Sequence, residues 1–449
     1  MYNQSLFRFR QDLRVYDNIW LYQAFKWSKQ VIPIFIFDEN LIPTFGWIQD
    51  PRFAFLKDAL LNLDRELKKI WSQLTIFKWK PQEILPIIIK ELDIESIYCN
   101  TAYDTYGIQR DSKIKDFCNQ NNIWYHISID NLLQDPQNIK AYKVFTPYFK
   151  TRISTLPQNF DLIEIQKIHS INQNFLQKIK YKIQIINTDI LDKFIPMTNK
   201  YRPIDWRKQT LENFDFTNYE NTKNFPAIQW ASKLSPYIRF GLISIRQLFN
   251  IAKKQKADNY LFELWRREFW HQIAMYFPLA RIQAFQEHRQ NISWQNDKKL
   301  FEAFCNAQTW YPIIDAAIIQ LKTKNRMHNR LRMIVASFLT KDLLIDWKRW
   351  EEFFKKYLLD YEEVVNIGNR QRSASVWADP KPMRIFSPIR QSQRFDTDAI
   401  FIKKYIPQLK NIDPEHIHDP LTYLLDYHKP IVDHKQQTIL AKQMYFGNN

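Results

Sequence analysis

Residues 325–347, NRMHNRLRMIVASFLTKDLLIDW, place positive charge on what the pattern predicts to be a single helix. The stretch lacks Gly and Pro and is rich in good helix formers. Its aliphatic and aromatic residues require a core, yet Asn329, Arg330, Arg332 and Lys341 lie among them. A buried cation must be paired inside the protein or must face an anionic ligand. The stretch therefore predicts internal ion pairs, an anion site, or both.

The chain carries a large excess of positive charge, with a formal net charge of +17 and a sequence pI near 9.5. Such an excess attracts phosphate-rich partners and releases their counterions on contact. We therefore expect a nucleic acid as partner. A second explanation stays open, because Lys, Asn and Ile are abundant along the whole chain and a basic composition can reflect the proteome rather than a ligand.

The three cysteines, Cys99, Cys118 and Cys305, are far apart and form no C-x-x-C motif. This spacing suggests neither a disulfide framework nor a zinc knuckle. Apolar runs such as residues 31–37 and 84–89 are too short to cross a bilayer, and the N-terminus lacks the apolar core of a signal peptide. We expect a cytoplasmic monomer without membrane contact.

Short apolar runs alternate with helix-like segments over the first 130 residues. The runs are SLFRF (5–9), QVIPIFIF (30–37), QLTIFKW (73–79), ESIYCN (95–100) and NIWYHI (122–127). This βαβ rhythm predicts a parallel, doubly wound sheet. The clearest crossover helix covers residues 51–71, whose apolar positions recur at intervals of three and four: Phe53, Leu56, Leu60, Leu63 and Leu67. The chain has five glycines and no G-x-G-x-x-G motif, which argues against an ordinary dinucleotide or P-loop site.

The remainder of the chain divides into a connector and a helical part. Residues 131–200 are polar and punctuated by Pro, which predicts a long connector over the surface. From about residue 200 the strand signals fade and helical stretches follow one another. We therefore predict an α/β domain at 1–130, a connector at 131–200 and an all-α domain at 201–449.

Three stretches together resemble the photolyase/cryptochrome family. LFRFRQDLRVYDN (6–18) is similar to its N-terminal signature, WASKLSPYIRFGLIS (230–244) to its T-S-R-L-S-P-x-L-x-x-G-x-I-S segment, and MHNRLRMIVASFLTKDLLIDW (327–347) to its most recognisable helix pair. The likeness runs from about residue 5 to about residue 440 and is greatest to the class I pyrimidine-dimer photolyases. It implies a Rossmann-like α/β domain followed by an all-α domain that binds FAD.

The resemblance assigns a set of cofactor residues. By the family pattern Arg332 pairs with Asp360 beside the isoalloxazine, where a fixed cation favours the anionic reduced flavin. Asn329, Arg332 and Met333 lie one helical turn apart on the face that lines the cavity. The other positions implied to bind FAD are Tyr219, Ser232, Lys233, Leu234, Ser235, Arg267, Glu362 and Asn366. Two of the loop positions depart from the family, with Ala231 in place of Thr and Lys233 in place of Arg.

The family's activity is the light-driven repair of pyrimidine dimers in DNA, in which a flipped lesion receives one electron from reduced flavin. The resemblance places four residues around that reaction: Glu263, Asn329, Met333 and Asn366. Flipping a base out of the duplex costs a few kcal/mol. Stacking of the flipped base on aromatic side chains, together with polar contacts, normally offsets this cost.

Three arginines replace aromatic residues of the family pattern. Arg266 and Arg372 stand at the two lesion-stacking tryptophans, and Arg370 stands at the flavin-proximal electron donor. Arginine cannot relay an electron hole, so the photoreduction chain is expected to be interrupted although Trp294 and Trp347 match its outer members. Guanidinium does stack on bases and bind phosphate. The arginines therefore either grip nucleic acid differently or fill a cavity whose earlier use has been lost.

The antenna cofactor and metal sites have weak support in the sequence. The family's pterin-binding acid would fall near residues 103–111, where Gly107 and Ile108 offer no carboxylate, so we predict no antenna chromophore or an unfamiliar one. The histidines of HIH (416–418), with His428 and His434, lack the spacing of a zinc site and are interpreted as surface residues, so no metal is expected. Asp315 near the first turn of PIIDAAIIQL is interpreted as a structural cap.

Two functions remain open. The first is a DNA photolyase that binds damaged duplex or single strands through a basic rim, with Arg266, Arg370 and Arg372 contacting DNA; the other candidates for this rim are Arg330, Lys341, Lys348, Arg349, Arg384, Arg390 and Arg394. The second is a cryptochrome-like photoreceptor or DNA-binding relative that no longer repairs dimers, in which the three arginines pair with carboxylates such as Glu362 and Asp379.

Overall fold

A parallel sheet forms from the five apolar runs of the N-terminal part. The computed structural model describes residues 1–41, 50–166, 185–186, 191, 211, 214–228, 232–378, 383–419 and 429–447. The strands are β1 (Tyr2–Phe9), β2 (Ser28–Asp38), β3 (Thr75–Trp79), β4 (Ser96–Asn100), β5 (Trp124–Ser128) and β6 (Ile185–Ile186). Their order is β5-β4-β1-β2-β3-β6, and only the short β6 pairs antiparallel. All five predicted strands are confirmed.

Helices account for most of the other regular structure. They are α1 (Ile19–Trp27), α2 (Pro51–Lys69), α3 (Pro81–Glu91), α4 (Thr105–Gln120), α5 (Phe145–Ile153), α6 (Tyr219–Thr222), α7 (Ser235–Arg239), α8 (Ile245–Lys254), α9 (Asp258–Tyr276), α10 (Lys298–Cys305), α11 (Pro312–Lys324), α12 (Asn329–Ser337), α13 (Trp347–Tyr357), α14 (Glu363–Ser373), α15 (Pro388–Phe395), α16 (Ile400–Tyr405), α17 (Pro414–His418) and α18 (His434–Phe446). No helix among the described residues combines the length and apolar character needed to cross a membrane. The predicted α/β and all-α classes are both confirmed.

The chain divides into two compact units. The first consists of Met1–Lys140, Thr155–Phe214 and Ser232–Leu264, and the second of Ala141–Ser154, Asp215–Ala231 and Trp265–Asn449. The domain boundaries that we drew at residues 130 and 200 remain predictions.

The core of the first unit lies between the sheet and its crossover helices. Leu6 of β1 faces Ile32 of β2 and Ile97 of β4 in register, and these side chains pack against α3 and α4. In α2 the predicted positions Leu60, Leu63 and Leu67 are fully buried. Buried ion pairs fix the loop after β1: Arg14 donates to Asp130 at 2.6 Å, and Arg246 lies 3.0 Å from Asp17 and 3.2 Å from Asp130.

The core of the second unit is built around α11. Ile314, Ala317 and Leu321 are fully buried and pack against residues of α12 and α13 such as Val335 and Phe354. This apolar layer holds α12 in place, so that its polar residues lie on another side of the helix. The fold therefore fixes the positions of Arg332 and its neighbours before any ligand binds.

The structure corrects one of the sequence predictions. Residues 325–347 are not one helix, because Asn325 has a left-handed backbone that ends α11, α12 ends at Ser337, and a π-helical turn covers Phe338–Asp342. π-helical turns are uncommon and occur often at functional sites.

The predicted connector contains α5, most of whose residues are exposed, while Tyr148 and Arg152 anchor it by their buried side chains. Much of the rest of that segment, including residues 167–184, lies outside the described residues, so the surface connector stays a prediction.

A glycine allows α14 to approach α9 closely. A Cβ atom added to Gly368 would lie 2.1 Å from Cε3 of the Trp270 ring, far inside van der Waals contact. We expect Gly368→Ala to lower the free energy of unfolding by about 1–3 kcal/mol, because overpacking forces the backbone or the indole to move. Urea denaturation followed by circular dichroism measures this change. Asn369→Ala, at the exposed neighbouring position, is the control and should change stability much less; an equal effect of the two substitutions would contradict the packing argument.

Candidate functional site

Arg332 and Asp360 form the ion pair that the sequence predicted. Nη2 of Arg332 lies 2.9 and 2.8 Å from the two carboxylate oxygens of Asp360, and its Nε donates to the backbone oxygen of Met327 at 2.9 Å. The Asp360 side chain is 5% exposed and that of Arg332 is 24% exposed. The carboxylate and the carbonyl therefore hold the guanidinium in one orientation at the partly open face of α12.

His328 caps the start of α12. Its Nδ1 accepts a hydrogen bond from the backbone N–H of Arg330 at 3.2 Å. Burial and the neighbouring arginines lower the pKa of His328 to about 4. The imidazole is therefore neutral at physiological pH, which agrees with the structural role expected for a helix cap.

Asn366 lies on α14, six residues after Asp360 in the sequence. Its side-chain Nδ2 is buried and has no hydrogen-bond partner among the residues that the structure describes. A buried amide without a partner costs free energy, so this N–H group is available to an acceptor such as a cofactor atom. The side chains of the second unit thus fit an aromatic, hydrogen-bonding, anionic cofactor such as reduced FAD: Arg332 offers a fixed cation and Asn366 offers a free donor.

Arg267 and Glu362 form a second ion pair in the second unit. Nε and Nη2 of Arg267 lie 3.1 and 2.8 Å from the carboxylate oxygens of Glu362. His271 joins them, with Nε2 3.0 Å from Glu362 and Nδ1 2.9 Å from the backbone oxygen of Arg267. Burial lowers the pKa of His271, which the Glu362 charge opposes. His271 is a member of this cluster that sequence reasoning missed.

The predicted phosphate loop lies in the first unit. Leu234 is fully buried, Lys233 has a left-handed backbone with φ of 54°, and Ser235 is exposed at the start of α7. The Ser232 side chain hydrogen-bonds to Tyr260. Ala231, the substituted loop residue, lies outside the described residues. The cofactor role of this loop stays a prediction.

The remaining predicted site residues are distributed over several helices. Tyr219 begins α6 of the second unit and is half-buried. Glu263 lies on α9 in the first unit, and its side chain is half-buried as well. On α12, Asn329 is exposed and Met333 is half-buried. These positions leave their predicted roles untested.

Arg370 differs from the DNA-contacting residue that we expected. Its side chain is 2% exposed, forms an ion pair with Glu351 and donates from Nε to the backbone oxygen of Asn366 at 3.1 Å. The guanidinium carbon lies 5.8 Å from the centre of the Trp347 ring. A guanidinium that is buried and paired in this way is not presented to DNA phosphates, so this part of the prediction is wrong.

Arg266 and Arg372 are only partly buried. The guanidinium carbon of Arg266 lies 5.6 Å from the ring centre of Phe145 on α5, within the range of a cation–π contact. Arg372 lies in the last turn of α14 and is half-buried. Asp379, one of the carboxylates that we considered as a partner, lies outside the described residues.

The two tryptophans that match the outer electron relay share one hydrophobic cluster. Trp347 is buried together with Tyr445, and Trp294 packs edge-on against Tyr445 with ring centres 5.8 Å apart. Arg370 covers Trp347 on another side. The predicted role of these two tryptophans in an electron relay stays a prediction, and the cation of Arg370 lies beside Trp347.

Lys341 also differs from the surface residue that we expected. Its side chain is 1% exposed, and Nζ donates to the backbone oxygens of Ser373 (2.7 Å) and Arg384 and to Oγ of Ser375 (2.9 Å). Burial lowers the pKa of Lys341 to about 7. The hydrogen bond from Lys341 to Ser373 joins the π-helical turn to the end of α14. The buried side chain therefore cannot belong to a DNA-binding rim.

Arginines do gather around Phe395 on α15. The guanidinium carbons of the half-buried Arg330 and the exposed Arg394 lie 4.4 and 5.3 Å from its ring centre, and Arg330 also donates to Asn224 at 2.5 Å. Arg390 and Arg384 are exposed nearby in the sequence. Partial burial lowers the pKa of Arg330, and the like charge of Arg394 lowers it further. Such a group of cations fits an anionic partner.

Asp315, which we interpreted as structural, and His418, which we interpreted as a surface residue, both form side-chain hydrogen bonds. Asp315 accepts hydrogen bonds from the backbone N–H groups of Thr309 and Trp310, both at 2.9 Å, so its role is structural; it holds the segment before α11 rather than capping the helix, whose N-cap is Tyr311. His418 is buried, not at the surface, and bonds to Oγ of Ser392 and to the backbone oxygen of Thr397. His428 lies outside the described residues.

At the predicted antenna position, the backbone N–H of Gly107 donates to the Asp104 side chain at the N-terminus of α4.

Comparisons with known proteins agree with this geometry. The family model described as "DNA photolyase" matches residues 5–164, and the one described as "FAD binding domain of DNA photolyase" matches residues 260–446. The deoxyribodipyrimidine photo-lyase of a Synechococcus strain is 32% identical over 98% of this chain and 96% of its own length. The crystal structure of an archaeal photolyase from Sulfolobus tokodaii, which holds two FAD molecules, has a TM-score of 0.87 at 30% identity and covers 98% of this chain and 99% of its own.

A further neighbour supports the fold only. The Synechocystis cryptochrome structure has a TM-score of 0.86 but 23% identity, over 99% of both chains. The alignment with the Synechococcus protein covers 98% of this chain. The chain therefore belongs to the DNA photolyase family.

Proposed function

We propose that this protein repairs pyrimidine dimers in DNA by light-driven electron transfer from reduced FAD. The observation that carries the proposal is the fixed Arg332–Asp360 pair together with the unpartnered amide of Asn366, in a chain of the photolyase family. Reduced FAD, when bound, supplies the excited electron. The protein's own contribution is to hold the cofactor, to stabilise its anionic form and to admit the lesion.

Each pair of charged residues has a part in this proposal. Arg332, held by Asp360, favours the anionic state of a reduced flavin because a fixed cation stabilises nearby negative charge. Asn366 offers its free N–H to a ring acceptor. Arg267, held by Glu362, and the loop at Ser232–Ser235 are proposed to bind the remainder of the cofactor, with Tyr219.

The contacts to the lesion are proposed to differ from those of the family pattern. Glu263 and Met333 would meet the dimer, together with Asn329. Arg266 and Arg372 would stack on bases or grip phosphate in place of tryptophans, as guanidinium groups do. We further propose that the protein acts as a monomer in the cytoplasm and that no antenna chromophore is required.

The direct test is repair by the purified protein. FAD is identified by the absorption spectrum, the flavin is reduced with dithionite, and an oligonucleotide containing one thymine dimer is illuminated with blue light. We expect restoration of the intact oligonucleotide in the light but not in the dark. A flavin-bearing protein that restores nothing under these conditions contradicts the proposal.

A second candidate function rests on the three arginines at aromatic positions. If they close the lesion site, the protein is a light-sensing or DNA-binding relative without repair activity. It would then bind DNA in a salt-sensitive manner and with little preference for damaged strands. Competition between dimer-containing and intact oligonucleotides distinguishes the two functions, since a strong damage preference favours the photolyase.

Removal of the cation at position 332 should make the flavin harder to reduce. We expect Arg332→Gln to lower the two-electron midpoint potential by about 30 mV or more, which corresponds to a tenfold change in the equilibrium. Spectroelectrochemistry of the holoprotein measures the potential. Lys324→Gln, which removes a positive charge from an exposed position at the end of α11, is the control and should leave the potential within a few millivolts.

Removal of the exposed arginines on α15 should weaken DNA binding by the same factor for damaged and intact DNA. We expect the double variant Arg390→Ala, Arg394→Ala to show a weaker salt dependence of its DNA association constant K. The slope of log K against log salt should fall in magnitude by about 1 for every phosphate that the variant no longer neutralises. Fluorescence anisotropy at several salt concentrations measures the slope. The matched double variant, Lys404→Ala with Lys410→Ala, removes the same charge elsewhere; an equal change of slope in both would show that only net charge matters.

A further inference from the structure

Tyr361, Glu351 and Arg370 form a largely buried network, in which the family resemblance assigns no role to Tyr361 or Glu351. The Tyr361 hydroxyl donates to one carboxylate oxygen of Glu351, and Arg370 pairs with the other. Arg370 also donates to the backbone oxygen of Asn366 at 3.1 Å. Tyr361 directly follows Asp360, the partner of Arg332. The network is thus joined to Asp360 through the chain and to Asn366 through one hydrogen bond from Arg370. Both Asp360 and Asn366 are proposed to lie beside the flavin.

The electrostatics of the network favour a neutral phenol in contact with a proton acceptor. Burial, and then the Glu351 charge, raise the pKa of Tyr361 well above its usual value, so the hydroxyl keeps its proton. Burial also raises the pKa of Glu351, although Arg370 and the Tyr361 hydrogen bond oppose that change. A carboxylate with a raised pKa binds a proton more readily. Glu351 is therefore suited to receive the phenolic proton.

A phenol loses an electron easily only when its proton leaves at the same time, because the alternative is a strongly acidic radical cation. In this structure the proton acceptor is already in hydrogen-bond contact, and Arg370 fixes its orientation. The side chain of Glu351 is 18% exposed, so a proton taken up there has a route to water. The indole of Trp347, by contrast, would carry positive charge beside the guanidinium of Arg370, 5.8 Å away.

We propose that Tyr361 and Glu351 act together as a proton-coupled electron donor to the flavin, in place of the aromatic residue absent at position 370. One electron passes from the phenol to light-excited oxidised flavin, the O–H bond of Tyr361 breaks, and the proton forms an O–H bond with Glu351. An external thiolate then returns one electron to the tyrosyl radical and becomes a thiyl radical, and the proton returns from Glu351 to the phenolic oxygen. Arg370 is a positioning residue in this scheme. The inference rests on the proposed flavin function but concerns how the cofactor is reduced, not how dimers are split.

Flavin photoreduction tests the proposal. The purified holoprotein with oxidised FAD is illuminated in the presence of dithiothreitol, and the decrease of flavin absorption is followed. We expect Tyr361→Phe and Glu351→Gln each to slow photoreduction at least about tenfold. Wild-type photoreduction should be slower in D2O, and rapid-freeze electron paramagnetic resonance should detect a tyrosyl radical that Tyr361→Phe lacks. Tyr357→Phe is the matched control, since Tyr357 lies on α13 and packs against Phe353 outside the network.

The outcomes separate this inference from the proposed function. A Tyr361→Phe variant that photoreduces at the wild-type rate, a wild-type protein without a tyrosyl signal, or a wild-type flavin that light does not reduce each overturns the inference. If Tyr361→Phe fails to retain FAD, Glu351→Gln and the wild-type radical measurement decide. Failure of the dithionite-reduced wild-type protein to repair dimers contradicts the proposed function alone, because that assay bypasses photoreduction.

Discussion

The need to pair buried cations determines much of the second unit. Arg332 is held by Asp360, Arg267 by Glu362 and Arg370 by Glu351, while Lys341 is bound by carbonyl oxygens. Taking a charge out of water costs several kcal/mol unless a partner with good geometry replaces the solvent. Each pair therefore fixes the relation between two segments that are distant in the sequence. The same constraint joins Arg14 and Arg246 to Asp17 and Asp130 in the first unit.

These pairs also relate the protein to its proposed chemistry. Two of them, at Arg332 and Arg267, coincide with positions that the family pattern assigns to the cofactor. The third, at Arg370, occupies an aromatic position and carries the network of Glu351 and Tyr361. The chain thus has paired charges at positions that the family pattern assigns to the cofactor and a charged residue at the position of the flavin-proximal electron donor. The proposed repair depends on the former, and the proposed route of flavin reduction depends on the latter.

The sequence predicted those features that depend on local pattern. Runs such as QVIPIFIF became strands because β-branched and aromatic residues suit a buried parallel sheet. The pairing of Arg332 with Asp360 was implied by the family resemblance and not by local pattern. The π-helical turn at Phe338–Asp342 was missed, because the local sequence continues the helical pattern; its Lys341 binds acceptors that are distant in the sequence. Glu351 was missed because nothing near it in the sequence indicates its partners. For His271 the i, i+4 spacing from Arg267 was the available signal, but it does not indicate the distant Glu362.

The contact between Gly368 and Trp270 has a consequence for how this family member could have diverged. The indole fills the space that a side chain at position 368 would need, so neither position can change freely while the other stays as it is. A larger residue at 368 would have to appear with a smaller one at 270. Among orthologues, the two sites should therefore vary as a correlated pair, and ancestral intermediates with only one replacement should be rare.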